Sequence, residues 1–227
     1  MPAVPHSLRP TGSRLSAARQ HPTKLALGAV LVGGASRRFG SDKAAAQFRA
    51  RTLLDTALLT LRGAGLAQLS YVGGAARDTV PPDVVHLADA PEHEPCMLRG
   101  VVSALEWAEQ RRIDRAMILA CDIPLVTANT VARVLAALHD TTANTGHDMQ
   151  RPHLAVAHGE RDLWSCMALS CEVLPSLRAS LAHGERAMHR ATAALRVARV
   201  AVAEHELTNV NDLTTLAGIT KDSLLHE

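Results

Sequence analysis

Val30-Leu31-Val32-Gly33-Gly34-Ala35-Ser36-Arg37-Arg38-Phe39-Gly40-Ser41-Asp42-Lys43 is the stretch that decides how this chain reads. It closes an apolar run, Leu25–Val32, with the length and character of a buried parallel strand. It then passes into paired glycines, two arginines and a lysine. Glycines let backbone N–H groups approach phosphate oxygens closely, and the cations neutralise their charge. The chain has only three lysines, Lys24, Lys43 and Lys221, so a lysine closing this loop stands out from an arginine background. Spacing excludes two commoner glycine loops. G-x-x-x-x-G-K-[ST] fails because five residues separate Gly34 from Gly40 and Lys43 lies three beyond Gly40. G-x-G-x-x-G fails at Gly33-Gly34 itself. A glycine pair alone would be an ordinary strand-to-helix turn. The added arginines, aspartate and lysine make a nucleotide's phosphates the expected occupant.

Outward from this loop, strand and helix patterns alternate. Thr52 and Asp55 form a capping box that opens a helix, with Leu54, Leu58 and Leu61 inward and Gly63 and Gly65 ending it. Leu69–Val72, Val84–Leu87 and Ala116–Ala120 read as strands, and Leu98–Ala108 as a helix. Thr127 suits the N-cap of a helix with Val131, Val134, Leu135 and Leu138 on one face. Residues 140–152 read as a polar loop. His153–His158 and Leu163–Leu169 flank a turn, as in a hairpin. Helices are expected over 172–182 and 185–195, a strand at Val197–Val202, and a last short helix after Asn209-Val210-Asn211-Asp212. This order predicts an α/β fold, a Rossmann-like, doubly wound, mostly parallel sheet in a single domain. The domain is expected over residues 23–220, after a disordered leader over 1–22 and before a tail over 221–227. In such sheets ligands bind beyond the carboxyl ends of the strands, where the Gly33 loop, Asp89 and Asp122 all fall.

Composition narrows the function. Of 227 residues, 47% are hydrophobic, enough for a full core, but only 2% are aromatic. So few rings argue against a platform that stacks single-stranded bases. The net charge of +2 comes from the first 24 residues, where Arg9, Arg14, Arg19 and Lys24 meet no acid. The remainder has 20 basic and 22 acidic residues, or −2, a poor general nucleic-acid binder. The four cysteines form no C-x-x-C pair and the twelve histidines no metal-binding cluster. No signal peptide or long apolar span occurs, so a cytoplasmic protein with reduced thiols, not held in a membrane, is expected.

Asp122 follows a buried strand and precedes Pro124, which delays the next helix. A carboxylate there is placed to hold Mg²⁺ against substrate phosphates, since that ion favours one or two carboxylates with phosphate and water oxygens. The alternative is a turn or cap aspartate. Asp89 ends its strand in the same way, with a turn role as its alternative. Asn209 and Asn211 could both face one cleft and offer neutral donors and acceptors, or serve Asx-turns before the last helix.

Together these segments resemble the molybdenum cofactor guanylyltransferases, within the wider nucleotidyltransferase superfamily. That family's L-A-G-G-x-S-x-R-M-G-x-D-K-A signature is similar to Leu31 through Ala44, its C-D-x-P to Cys121-Asp122-Ile123-Pro124, and its closing N-x-N to Asn209-Val210-Asn211. The resemblance covers about Leu27 to Ala217. It implies transfer of GMP from GTP to the phosphate of molybdopterin, with release of pyrophosphate. It also implies that Leu31, Val32, Gly33 and Gly34 line the nucleotide, with Gly74, Asp89, Asn209 and Asn211 around it. Arg38 and Lys43 would touch phosphates, and Asp122 would bind Mg²⁺. The implied partners are GTP, molybdopterin and molybdoenzyme maturation proteins, with a monomer or weak homo-oligomer expected. The chain departs from the pattern in three places. Gly74 stands where a nucleotide-contacting asparagine is expected, Cys96-Met97-Leu98-Arg99-Gly100 replaces G-P-L-A-G, and Leu163-Trp164 replaces a polar residue and proline. These positions leave open cytidylyl transfer to molybdopterin, guanylyl transfer to another small phosphate, and a non-catalytic nucleotide- or pterin-binding role in enzyme maturation.

Overall fold

The computed structural model describes residues 26–32, 39, 42–88, 95–139 and 151–224. The leader, most of the glycine loop, Asp89 and most of the 140–152 loop lie outside them. The chain forms β1 (Ala26–Leu31), the short pair β2 (Gln47–Phe48) and β3 (Arg51–Thr52), α1 (Leu53–Gly63), β4 (Gln68–Val72), β5 (Val84–Leu87), α2 (Met97–Gln110) and β6 (Arg115–Ala120). It continues with α3 (Ala128–Ala137), β7 (Leu154–His158), β8 (Asp162–Ser170), α4 (Leu174–Ala182), α5 (Met188–Ala191), β9 (Val197–Ala201) and α6 (Leu213–Leu224). Seven strands make one sheet in the order β5-β4-β1-β6-β8-β7-β9. Only β8 runs against the rest, since β6 and β7 each pair with it antiparallel and all other pairings are parallel.

Both faces of the sheet are covered, so its central strands carry apolar residues at every position. Along β6, Met117 and Leu119 face a core shared with α1 and α3, while Ala116, Ile118 and Ala120 face one shared with α2 and α4. Leu54, Leu58 and Leu61 of α1 are at most 2% exposed. Truncating one to alanine is expected to cost about 2–5 kcal/mol. Gly100 lets α2 lie close to the sheet, because a Cβ there would stand 3.1 Å from Leu31 Cδ2.

Local chemistry explains the boundaries. The Thr52 hydroxyl accepts from the Asp55 N–H (3.0 Å) and donates to Asp55 Oδ2 (2.7 Å), starting α1. Thr127 accepts from the Thr130 N–H at 3.2 Å, starting α3. The helix expected over 185–195 is cut to Met188–Ala191. Glu185 Oε1 accepts from the N–H groups of Arg186 and Ala187 at 2.7 Å each, which delays the helix, and a turn closed by Leu195 N–H on the Thr192 carbonyl ends it.

The chain steps from β1 outward to β4 and β5, then returns to place β6 on the other side of β1. That reversal puts the topological switch between β1 and β6, and in such sheets the ligand crevice lies beyond the carboxyl ends of the strands at that point.

Candidate active site

Two segments reach this crevice from opposite sides. From β1, the Val32 N–H donates to the Val72 carbonyl at 3.0 Å, and the chain returns at Phe39, which is 3% exposed in the core. Asp42 then caps a single 3₁₀ turn, Lys43–Ala45, accepting from the Ala44 N–H at 3.1 Å. From β6, the Cys121 N–H donates to the Leu31 carbonyl at 3.2 Å, which zips the two strands together and presents Asp122 beside the turn. Lys43 Nζ donates to Asp122 Oδ2 at 3.0 Å, with only 16% and 23% of the two side chains exposed. Seventy-nine residues separate them in sequence.

Asp122 is half satisfied. Its Oδ1 is enclosed and meets no hydrogen-bond donor among the described residues. A buried carboxylate oxygen without a partner is costly, and proteins keep one where a ligand or ion completes it. The backbone of Asp122 is fixed from a third direction, since its carbonyl accepts from the Val210 N–H at 2.7 Å. Val210 is buried, and Asn209 and Asn211 on either side of it are exposed. Asp212 supplies the cap of α6, accepting from the Thr215 N–H at 2.8 Å. Hydrogen bonds from Thr215 hold its carboxyl below the usual range, and Lys43 adds to the effect.

The structure thus brings Lys43, Asp122 and the Asn209–Asn211 segment to one place, at the ends of Leu31 and Val32. Leu31 itself buries its side chain beneath α2. Gly74 follows β4 with φ +64°, a conformation that suits glycine. Gly33, Gly34, Arg38 and Asp89 lie outside the described residues.

Arg77 is a candidate site residue that sequence reading missed. Its Nη1 meets Asp42 Oδ2 at 2.5 Å, its backbone N–H donates to the Tyr71 hydroxyl at 3.0 Å, and its side chain is 15% exposed. The Asp42 carboxylate raises the guanidinium's pKa, and Arg77 in turn lowers that of Asp42. Asp42 therefore links two cations: one oxygen binds Arg77 and the other caps the turn that aims Lys43. The signal available in sequence was an arginine three residues after a Gly-Gly strand end. Cys121 adds no nucleophile, because burial and then Asp122 push its thiol up to about 12. Among the described residues, no three His, Cys, Asp or Glu side chains gather into a metal cage.

The MobA-like NTP transferase domain family matches residues 28–200. The chain belongs to that family. A molybdenum cofactor guanylyltransferase of Acidiphilium cryptum (strain JF-5) is 34% identical over 115 residues, 48% of this chain and 56% of the relative. The chain thus matches little more than half the length of that relative. The structure is similar to molybdopterin-guanine dinucleotide biosynthesis protein A from Archaeoglobus fulgidus, with a TM-score of 0.68 at 16% identity over 88% of this chain and 99% of that one. It is also similar to 2-C-methyl-D-erythritol 4-phosphate cytidylyltransferase from Thermus thermophilus, with a TM-score of 0.62 at 17% identity over 86% and 97%. At such identities the likeness is one of fold. The MobA-like fold and the three sequence motifs agree, and the first two motifs meet at the Lys43–Asp122 contact.

Proposed function

We propose that this protein transfers GMP from GTP to the phosphate of molybdopterin, releasing pyrophosphate. The observation that carries the proposal is the Lys43–Asp122 contact, 3.0 Å across the switch point, with the second Asp122 oxygen enclosed and unpartnered among the described residues. A lysine beside a half-satisfied carboxylate suits a metal–triphosphate complex, because each partner then gains the charge it lacks.

Asp122 fits Mg²⁺, which asks the protein for one or two carboxylates and takes its other ligands from phosphate and water. The ion would supply charge neutralisation for the triphosphate. Lys43 would turn its donors from Asp122 to phosphate oxygens and, with Arg38, stabilise the charge that develops on the leaving pyrophosphate. Arg77 and Asp42 would hold the turn that carries Lys43. The exposed Asn209 and Asn211 would contact nucleotide or pterin. The attacking phosphate is already an anion near neutral pH, so no general base is needed, and catalysis rests on in-line positioning and electrostatics. The guanine preference rests on the family resemblance and on the Acidiphilium relative.

Pyrophosphate release, measured with molybdopterin, Mg²⁺ and each of the four ribonucleoside triphosphates in turn, tests the proposal. GTP alone should support release. Preference for CTP would assign the cytidylyl reaction. Tight binding without turnover for every triphosphate would assign a non-catalytic role.

A further inference from the structure

A second cavity lies between the start of α2 and the end of α4, on the α2 side of the sheet. It has a volume of about 400 Å³, within the range of roughly 300–1,000 Å³ usual for small-ligand sites. Arg99, Arg178 and Arg186 line it together with a single carboxylate, Glu106. Glu106 is occupied, since its Oε1 accepts from Arg178 Nε at 2.8 Å. The neighbouring Glu185 gives its carboxylate to Arg190, at 2.6 and 2.8 Å, and to backbone N–H groups. Glu109, outside the cavity lining, pairs more loosely with Arg178 Nη2 at 3.8 Å, so three guanidinium groups meet one lining acid and one peripheral acid, both on Arg178. Arg186 Nη1 donates to the carbonyls of Leu181 (3.3 Å) and Glu185 (2.9 Å), which fixes its head at the end of α4.

Arg99 is the unusual member. Its Nε is enclosed and has no acceptor among the described residues. It also sits in the first turn of α2, where the helix dipole disfavours a cation. That turn contains no acid, and its N-cap residue Cys96 makes no side-chain hydrogen bond. A cation placed against a dipole, with an enclosed Nε–H that no described residue accepts, is a local cost that folding does not explain. An anion between the three arginines would satisfy the enclosed donor and balance the charge. Ser103, one turn on from Arg99, adds a hydroxyl, and Val102, Leu181 and Ala182 give the cavity an apolar side.

We propose that this cavity binds the phosphate group of a small organic phosphate through Arg99, Arg178 and Arg186. Nuclear magnetic resonance of the arginine Nε–H groups tests this in the intact wild-type protein, with inorganic phosphate as the probe and a chelator present to exclude metal-dependent binding near Asp122. The Arg99 and Arg186 signals should move together and saturate as phosphate is added. Signals that stay put, or that move equally with chloride at matched ionic strength, would overturn the proposal. Arg99→Met keeps the apolar stem and should weaken phosphate binding about tenfold or more. Kinetics of that variant then identify the source of the phosphate. A raised KM for the acceptor, with KM for the triphosphate unchanged, assigns the cavity to the acceptor's phosphate. Unchanged kinetics with lost phosphate binding assign it to a separate organic phosphate. The binding readout needs no turnover, so it stands or falls apart from the guanylyl-transfer proposal.

Discussion

Asp122 and Asp162 are two aspartates at strand ends of the same sheet, with side chains 23% and 16% exposed, yet the protein completes only one of them. Asp162 is saturated. His158 Nδ1 and Arg199 Nε reach its Oδ1 at 2.8 and 2.9 Å, and Arg199 Nη2 reaches its Oδ2 at 3.0 Å. Those contacts tie β7, β8 and β9 together at one edge of the sheet. Among the described residues Asp122 receives one donor, Lys43, and its other oxygen is enclosed without one. The contrast separates a carboxylate whose partners hold the fold from one with an oxygen that no described residue completes, as the proposed metal–triphosphate site requires.

Asp122→Asn should break the contrast most severely. Turnover should fall at least about a hundredfold, as expected when a preorganised charge is removed from a transferase centre, while the protein should stay folded with a modestly lowered thermal midpoint, since Lys43 loses its partner's charge. Steady-state kinetics and calorimetry on one preparation check both. Lys43→Ala comes next, with an expected loss of about ten- to a hundredfold in kcat/KM, shared between triphosphate KM and kcat. Unchanged kinetics would make Lys43 a bystander held by Asp122. Arg77→Met should act more weakly, raising triphosphate KM about five- to tenfold, because it loosens the turn that carries Lys43 and leaves the lysine in place. Asp42→Asn should reproduce that effect without adding to it in the double variant.

Asp162→Asn marks the other side of the comparison. Turnover should be unaffected and stability should fall by only about 1 kcal/mol, given that Arg199 is more than half exposed. Burial raises the Asp162 carboxyl, but Arg199 and His158 outweigh that and hold it below its ordinary value of 3.8. A lowered folded-state pKa gives stability that is fully present above the unfolded value and lost as pH falls through the folded one. Thermal midpoints measured below about pH 4 should therefore fall less steeply in Asp162→Asn than in wild type. Equal slopes would show that the Asp162 cluster contributes little to acid stability.

The sequence revealed most of the fold for a physical reason. Parallel strands covered on both faces read as apolar runs, and β1 and β6 came from that signal most clearly, while the edge strand β5, with His86 and an exposed Val85, showed it only in part. Threonines at helix starts act through neighbours three residues away, so Thr52 and Thr127 were legible too. The helix over 185–195 was misjudged because Glu185 turns back on its own backbone, a competition that periodicity does not register. In the site, Lys43 stood out as a rare lysine closing the glycine loop and Asp122 as a carboxylate after a buried strand, but their contact depends on β1 and β6 becoming neighbours. Arg77 was invisible because its partner Asp42 lies on a different strand connection, and only the parallel pairing of β1 with β4 brings them together. Arg99 was read only as a departure from a pattern. Its significance depends on Arg178 and Arg186, which a separate helix and turn deliver.

The open coordination of Asp122 is tested most directly by Mn²⁺ binding, followed by electron paramagnetic resonance in the presence of GTP, for wild type, Asp122→Asn and Asp162→Asn. Wild type and Asp162→Asn should each hold one protein-bound ion with the nucleotide, and Asp122→Asn should lose it. An ion held equally well by Asp122→Asn would contradict the account.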